Sequence, residues 1–168
     1  MKKIIFTFIS CMIISCAFSQ ATYYWVGGSA TTAWGTASNW NTALDGSGTA
    51  RVPATTDVMI FDGSNIGGAV PATGAVSVTV TGITIGRLIL QNGADVALSR
   101  ATSSTTTLVV GDDPSGDDLI VNAGCKLRLR GTTGSFLLLL NNNASAGPPA
   151  VPATTSATAK IFGDVFIE

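Results

Sequence analysis

The sequence predicts an all-β fold, and within that class a β-solenoid in which short coils stack on one another. Polar positions are filled mainly by Thr, Ser, Asn and Gly, and Glu168 is the single glutamate among 168 residues, whereas exposed helix faces favour Glu, Lys and Gln. From Val76 onward apolar and polar residues alternate, which is typical of strands with one buried face. A stretch of the chain also recurs after 31 residues, as the coils of a solenoid do. An ordinary β-sandwich is the alternative.

Residues 1–19 have the pattern of a secretory signal peptide. Lys2 and Lys3 give a positive start, and Ile4 to Ile14 form an apolar stretch too short to span a bilayer. Small residues in Ala17-Phe18-Ser19 then mark a cleavage site. The chain is therefore predicted to be secreted or exposed on the outer cell surface.

The cysteines leave two possibilities for anchoring. Ile13-Ile14-Ser15-Cys16 also fits a lipobox, in which Cys16 would carry a lipid and become the mature N-terminus. Ordinary cleavage instead leaves only Cys125, so no intrachain disulfide is expected. The chain has no histidine that would activate a thiol, and Cys125 is predicted to be a core residue rather than a nucleophile.

Residues 20–75 are predicted to form an N-terminal cap together with the first strands. All three tryptophans of the chain, Trp25, Trp34 and Trp40, lie near the start of this segment. Bulky aromatic residues concentrated at one end suit a cap that covers the open end of a core. The alternative is a glycan-binding platform made by the three tryptophans, because aromatic rings stack on the apolar faces of ligands.

Residues 76–168 are predicted to form the coils. Residues 87–98 align without gaps on residues 118–129, which sets Leu88 against Leu119. The same alignment gives the pairs Leu90–Val121, Gly93–Gly124, Val96–Leu127 and Leu98–Leu129. The free energy gained by burying the few aliphatic side chains of one coil is smaller than the entropic cost of ordering its residues. A single coil is therefore expected to need neighbours above and below it.

A third copy of the repeat is predicted at the C-terminus. Residues 162–168 align on residues 85–91, and this copy follows the second by 46 residues. The extra length is assigned to a loop through the proline-rich stretch at residues 148–152. Because the sequence stops one strand into this copy, we expect a truncated solenoid that the rest of the chain would continue.

Several N-terminal motifs resemble those of a known group of proteins. These motifs are Tyr23-Tyr24-Trp25-Val26-Gly27-Gly28, Trp34-Gly35, Ser38-Asn39-Trp40-Asn41, Val52-Pro53 and Val58-Met59-Ile60-Phe61-Asp62-Gly63. Placed after a signal peptide, they resemble the N-terminal region of large secreted, adhesin-like proteins of Bacteroidetes-type bacteria, many of which use type IX secretion. The resemblance covers residues 21–63 by motif and the remainder by repeat style. It implies a right-handed parallel β-helix with an aromatic N-terminal cap, a structural or adhesive role, and surface glycans or host matrix components as partners.

A cluster of four aspartates is the candidate metal site. Asp112, Asp113, Asp117 and Asp118 lie within seven residues and offer the oxygen ligands that calcium prefers. Their spacing fits neither an EF-hand loop nor the calcium-binding nonapeptide of other solenoids. The simpler interpretation is a solvated turn between strands, with no cofactor.

A basic strip is the second candidate site for glycans. Lys126, Arg128 and Arg130 alternate with Leu127 and Leu129, so they are expected on the outer face of one strand. Such a strip would suit acidic glycans, and together with the aspartate cluster it suggests a lyase-like, polysaccharide-active β-helix enzyme as an alternative function. A solvated, charge-balanced face is the simpler interpretation.

The composition argues against several other functions. Removing Lys2 and Lys3 from the 9 basic residues leaves 7 against 10 acidic ones, a formal charge of −3 that does not favour nucleic acid. Without histidine there is no Ser-His-Asp triad and no His-Glu-x-x-His zinc site. No further stretch is long and apolar enough for a transmembrane span. We therefore expect a surface protein that is not an enzyme in this segment; a carbohydrate-binding module is a further alternative.

Overall fold

The computed structural model describes residues 20–29, 31–65, 76–100, 105–111, 117–131, 135–140 and 159–167. The predicted signal peptide at residues 1–19, with the alternative anchor Cys16, lies outside these ranges, as do the proline-rich stretch and the end of the predicted cap. Within the described residues, no helix is long and apolar enough to cross a membrane.

The described residues form an all-β structure, which confirms the predicted class. One short 3-10 helix, Ala37–Asn39, is the exception among the regular elements of these residues. The strands are β1 Thr22–Trp25, β2 Trp40–Asn41, β3 Val58–Asp62, β4 Val76–Val80, β5 Ile83–Ile85, β6 Arg87–Gln91, β7 Asp95–Arg100, β8 Thr106–Val110, β9 Leu119–Val121, β10 Lys126–Arg130, β11 Phe136–Leu140, β12 Ala159–Ile161 and β13 Asp164–Ile167.

The strands belong to three sheets, not to the two of a sandwich. Sheet A has the strand order β12-β9-β6-β3-β1-β2, sheet B the order β13-β10-β7-β4, and sheet C the order β11-β8-β5. From β3 onward, consecutive strands therefore enter sheets A, B and C in turn. Every strand pair is parallel except β1–β2, which is antiparallel.

The 31-residue repeat predicts the register of the middle strands correctly. In the pair β6–β9, Leu88 lies opposite Leu119 and Leu90 opposite Val121. In the pair β7–β10, the register partners are Val96–Leu127 and Leu98–Leu129. Both turns between these strands contain a glycine at the predicted position, Gly93 and Gly124, with left-handed φ angles of 76° and 78°. Such angles carry no steric penalty for glycine.

The predicted alignment of the third copy is wrong. It places Val165 in line with Leu88 and Leu119, but β13 pairs with β10 in sheet B, where Val165 lies opposite Leu127. The strand that continues sheet A is β12, in which Ala159 pairs with Leu119 after 40 residues rather than 46. The error arises because the apolar alternation of a strand is the same in every sheet and does not identify the sheet.

Alternate residues of the strands fill one continuous core. The core is lined by fully buried side chains from all three sheets, among them Met59, Phe61, Val78, Ile85, Leu88, Leu90, Val96, Leu98, Leu108, Val110, Val121 and Leu127. Cys125 is a free, fully buried cysteine in this cluster, in agreement with its predicted packing role. In β6 and β9 the intervening residues, such as Ile89 and Ile120, are partly exposed on the outer face, whereas all five residues of β3 are buried.

The N-terminal segment continues two of the sheets. Strand β1 pairs with β3, and β2 lies at the edge of sheet A beside β1. The segment around Ala33 also runs parallel to β4 of sheet B: Trp34 N–H donates to Thr79 O (2.9 Å), and Thr79 N–H donates to Thr32 O (2.9 Å). The first layer of sheets A and B is therefore covered by hydrogen-bonded backbone.

Candidate functional site

The three tryptophans lie inside the core. Trp25 is 1% exposed, and Trp34 and Trp40 are 0% exposed. The centroid of the Trp40 ring is 5.0 Å from that of Trp25, 4.7 Å from that of Trp34 and 5.4 Å from that of Phe61. No face of these rings is open to a ligand, so the predicted glycan-binding platform does not form. Their role in this structure is packing.

The basic strip lies where it is predicted, on the outer face of sheet B. Lys126, Arg128 and Arg130 are partly exposed, while Leu127 and Leu129 are buried in the core. The register partners of Lys126 are two aspartates, Asp95 in β7 and Asp164 in β13. Opposite charges on neighbouring strands stabilise the pairing, so the face is balanced rather than uniformly positive.

Arg128 is held by contacts on both sides. Its Nε donates to Asp95 Oδ1 (2.8 Å) and its Nη2 donates to Asp95 Oδ2 (3.1 Å), a bidentate ion pair. Its guanidinium carbon lies 4.8 Å from the centroid of the Phe166 ring, within the range of a cation–π contact. The side chain thus links three successive strands of sheet B, and binding an acidic glycan would have to compete with these contacts.

The predicted calcium ligands are only partly described. Asp112 and Asp113 lie outside the described residues. Asp117 forms an ion pair with Lys160 Nζ (2.6 Å), and Asp118 is buried, with its carbonyl oxygen accepting from Leu88 N–H (2.8 Å). The described part of the chain contains no group of three or more His, Cys, Asp or Glu side chains that would hold a metal ion. Calcium binding stays a prediction.

An open polar groove runs along the corner where the strands of sheet A end. The groove has a volume of about 580 Å³ and is lined by Gln91, Asn92, Asn122, Ala123 and Phe162. We call it the corner groove. These residues lie at or just beyond the ends of β6, β9 and β12, and Asp62, at the end of β3, precedes them in the stack. Because the strands are parallel and in register, their ends form one row.

Asp62 anchors the first part of the corner groove. Its Oδ1 accepts from the N–H (2.9 Å) and hydroxyl (2.5 Å) of Ser64, and its Oδ2 accepts from Gln91 Nε2 (2.6 Å) and Asn92 Nδ2 (2.8 Å). Burial disfavours the charged carboxylate, but hydrogen bonds from the Ser64, Gln91 and Asn92 side chains and the Ser64 N–H outweigh it and lower the pKa of Asp62 to about 2. The side chain is ionised at neutral pH.

Two glycines allow the corner turns to approach closely. A Cβ on Gly63 would collide with the backbone of Asn92 and Ala94, and a Cβ on Gly163 would collide with the carbonyl oxygens of Cys125 and Asn122. Glycine is thus required for the close approach of backbone to backbone at both positions. The backbones of neighbouring turns are therefore in close contact beside the corner groove.

Sequence reasoning did not find the corner groove. A signal for it was present at four strand ends, each of which has a polar or aromatic residue one or two positions before a glycine: Asp62-Gly63, Gln91-Asn92-Gly93, Asn122-Ala123-Gly124 and Phe162-Gly163. Comparison with family models, with curated proteins and with solved structures gives no match for this chain.

Proposed function

We propose that this chain is a secreted or surface-exposed right-handed parallel β-helix with a structural or adhesive role, of the adhesin-like kind that its N-terminal motifs resemble. The observation that carries the proposal is the repeated order of sheets: β3, β6, β9 and β12 enter sheet A, and each is followed by a strand of sheet B. Such an order is what a chain winding around one core produces. Right-handed winding is the general rule for parallel strands joined by a crossover.

The way polar side chains are used supports a structural role over a catalytic one. The Asp57 carboxylate, 1% exposed, accepts hydrogen bonds from Arg51 Nη2 (2.5 Å) and from the N–H groups of Ala54 (2.7 Å) and Ala21 (3.3 Å). Asp62 likewise has both oxygens engaged by neighbours. Carboxylates whose oxygens are engaged by neighbouring groups in this way stabilise loops and strand ends.

A retention assay combined with a turnover assay tests the role. Purified residues 20–168 are incubated with bacterial cells, with matrix-coated surfaces and with immobilised polysaccharides, and the bound fraction is measured after washing. Released reducing ends and unsaturated uronates are measured in the same samples. We expect retention on at least one surface without turnover. Turnover of a polysaccharide without retention would overturn the proposal and favour the lyase-like alternative.

The proposed location has its own test. Expression of the full chain in a Gram-negative host, followed by the intact mass of the mature protein, separates the two signals. Cleavage after Ser19 gives a chain that begins at Gln20 and carries no lipid, whereas processing at Cys16 gives a heavier, acylated chain. An unprocessed protein that begins at Met1 and stays in the cytoplasm would contradict both export signals and the proposed location.

A further inference from the structure

We infer that the corner groove is a binding site for a neutral oligosaccharide. The inference rests on the proposed adhesive function and adds to it a ligand class and a site. The lining of the groove combines three carboxamides, Gln91, Asn92 and Asn122, with the phenyl ring of Phe162. Sugar hydroxyls both donate and accept hydrogen bonds, as carboxamides do, and the C–H face of a sugar ring stacks on an aromatic ring.

Two of the three carboxamides, Gln91 and Asn92, are held in place before any ligand arrives. Asp62 Oδ2 accepts from the amide nitrogens of Gln91 and Asn92. An ionised carboxylate accepts only from the NH₂ group, which fixes the orientation of both amides and leaves their oxygens as acceptors for hydroxyl donors. Side chains that are already ordered lose less conformational entropy when a ligand binds.

Phe162 provides the apolar surface. It is 67% exposed although it is a large aromatic residue. Its backbone is fixed at the end of β12, where the N–H groups of Phe162 (2.8 Å) and Gly163 (3.1 Å) both donate to Val121 O. An exposed ring on a fixed backbone next to carboxamides is the arrangement expected of a sugar-stacking position.

The charges favour a neutral ligand over an acidic one. None of the described residues that line the corner groove is Lys or Arg, and the ionised Asp62 lies directly behind Gln91 and Asn92. A uronate carboxylate placed there would meet a like charge without a cation to compensate it. The basic strip lies on a different surface, the outer face of sheet B.

The dimensions favour an oligomer over a single sugar. The lining from Gln91 to Phe162 crosses β6, β9 and β12, and two steps of about 4.8 Å give a length of roughly 10 Å, about that of two sugar rings. The lining also runs along the stacking direction of the strands. A short oligosaccharide would therefore lie along the stack, with one ring on Phe162 and hydroxyls on the carboxamides.

Calorimetry and NMR with residues 20–168 test the inference. The probes are short oligomers of glucose, mannose, galactose and xylose, with oligogalacturonate as the acidic comparison. We expect binding of at least one neutral oligomer and binding of oligogalacturonate that is at least about tenfold weaker. Phe162→Ala should weaken neutral binding about tenfold through loss of stacking, and Phe162→Trp should retain it. Leu137→Ala, which truncates an exposed side chain on sheet C, is the matched control and should bind as the wild type does.

The outcomes separate this inference from the proposed function. If no neutral oligomer binds, or if Phe162→Ala binds as tightly as the wild type, the corner groove is not the site. In that case retention on cells or matrix leaves the adhesive role intact with another surface responsible. If the wild type is neither retained on a surface nor bound to an oligomer while it degrades a polysaccharide, the proposed function itself fails.

Discussion

Two asparagines, Asn39 and Asn41, lie on either side of Trp40 and provide hydrogen-bond partners for the backbone of the N-terminal loops. Asn39 is 0% exposed; its Nδ2 donates to Thr31 O (2.9 Å) and Ala33 O (2.9 Å), and its Oδ1 accepts from Ser29 N–H (3.0 Å). Asn41 Nδ2 donates to Gly46 O (3.0 Å). Buried loop backbone needs such partners because water cannot reach it. The asparagines of the Ser-Asn-Trp-Asn motif therefore stabilise the N-terminal loops, which is a structural role.

Trp34 and Trp40 offer a matched pair of substitutions. Trp40 Nε1–H donates to Trp34 O (2.8 Å), whereas Trp34 Nε1 has no hydrogen-bond partner among the described residues, although both rings are fully buried. Trp→Phe removes similar volume at each site, so the hydrogen bond is the main difference. We expect Trp40→Phe to lower the free energy of unfolding by about 1 to 2 kcal/mol more than Trp34→Phe. The free energy of unfolding is measured by urea denaturation. If both variants lose the same amount of it, the hydrogen bond from Trp40 contributes little to stability.

Asp62 predicts an acid-dependent loss of stability. Its pKa in the folded protein is about 2 and its ordinary value is 3.8. A lowered pKa stabilises the folded state at pH values above the ordinary pKa, and this contribution is lost as the pH falls through the folded pKa. Between pH 4 and pH 2 the wild type should therefore lose about 1 to 2 kcal/mol relative to Asp62→Asn, which cannot titrate. The free energy of unfolding of each protein is measured by urea denaturation at several pH values in this range. If it changes with pH by the same amount in both proteins, the lowered pKa of Asp62 is contradicted.

At the residue scale, the sequence predicted which aromatic residues are buried better than it predicted which polar side chains contact each other. The crowding of Trp25, Trp34 and Trp40 near the N-terminus predicted a packed end, and all three are buried. The partners of Asn39, Asp57 and Asp62 could not be predicted, because each lies in a loop or strand end whose neighbours come from distant parts of the chain. Gln91, for example, reaches Asp62 across 29 residues. The Gln91–Asp62 pair follows from the register of β3 with β6, which the 31-residue repeat does not cover.

At the scale of the strands, the register is the property that the repeat determined best. Residues 87–98 and 118–129 predicted the pairing of β6 with β9 and of β7 with β10, because matched side chains at matched spacing occupy equivalent places in adjacent layers. The same reasoning failed for β12 and β13. Ala159–Ile161 is short and contains one large apolar residue in the inward direction, Ile161, so its pattern is too weak to align.

Paired cysteines test the register directly. Ile89 and Ile120 are register partners on the partly exposed face of β6 and β9. Neighbouring strands lie about 4.8 Å apart, within the Cα separation that a disulfide bridges. Ile89→Cys with Ile120→Cys should therefore crosslink on mild oxidation, measured by mobility on a non-reducing gel. Ile89→Cys with Val109→Cys, which places the second thiol on sheet C, should not. Equal crosslinking of both variants would contradict the three-sheet arrangement.

At the scale of the whole molecule, the two ends of the described stack differ. The first layer of sheets A and B is covered by the N-terminal segment, whereas β11, β12 and β13 are the edge strands at the other end. The inward-facing residues of β12 and β13 are exposed, Ile161 by 51%, Val165 by 38% and Ile167 by 88%, whereas those of β11 are partly buried against the core. Unpaired strand edges beside apolar side chains favour pairing with another chain.

We therefore expect residues 20–168 to associate as concentration rises. Size-exclusion chromatography with light scattering measures the change in mass. Val165→Lys with Ile167→Lys should suppress association, because inward-pointing charges disfavour edge pairing. Leu137→Lys with Leu139→Lys adds the same charge to outward-facing, exposed positions of β11 and should suppress it less. A wild type that stays monomeric and melts sharply at all concentrations would contradict the open layer.

Because one end of the stack is covered and the other is exposed, we expect the strands of one chain to fold in order from the N-terminal end. A chain that folds from its N-terminus completes the covered strands of sheets A and B first, and these strands then serve as a template on which each later strand orders against a neighbour already in place. Order should accordingly decay along the stack, and local opening should be easiest at the far end. Amide hydrogen exchange should be slowest in β3 and β6 and fastest in β12 and β13. Uniform protection from β3 to β13 would mean that the molecule opens as one cooperative unit.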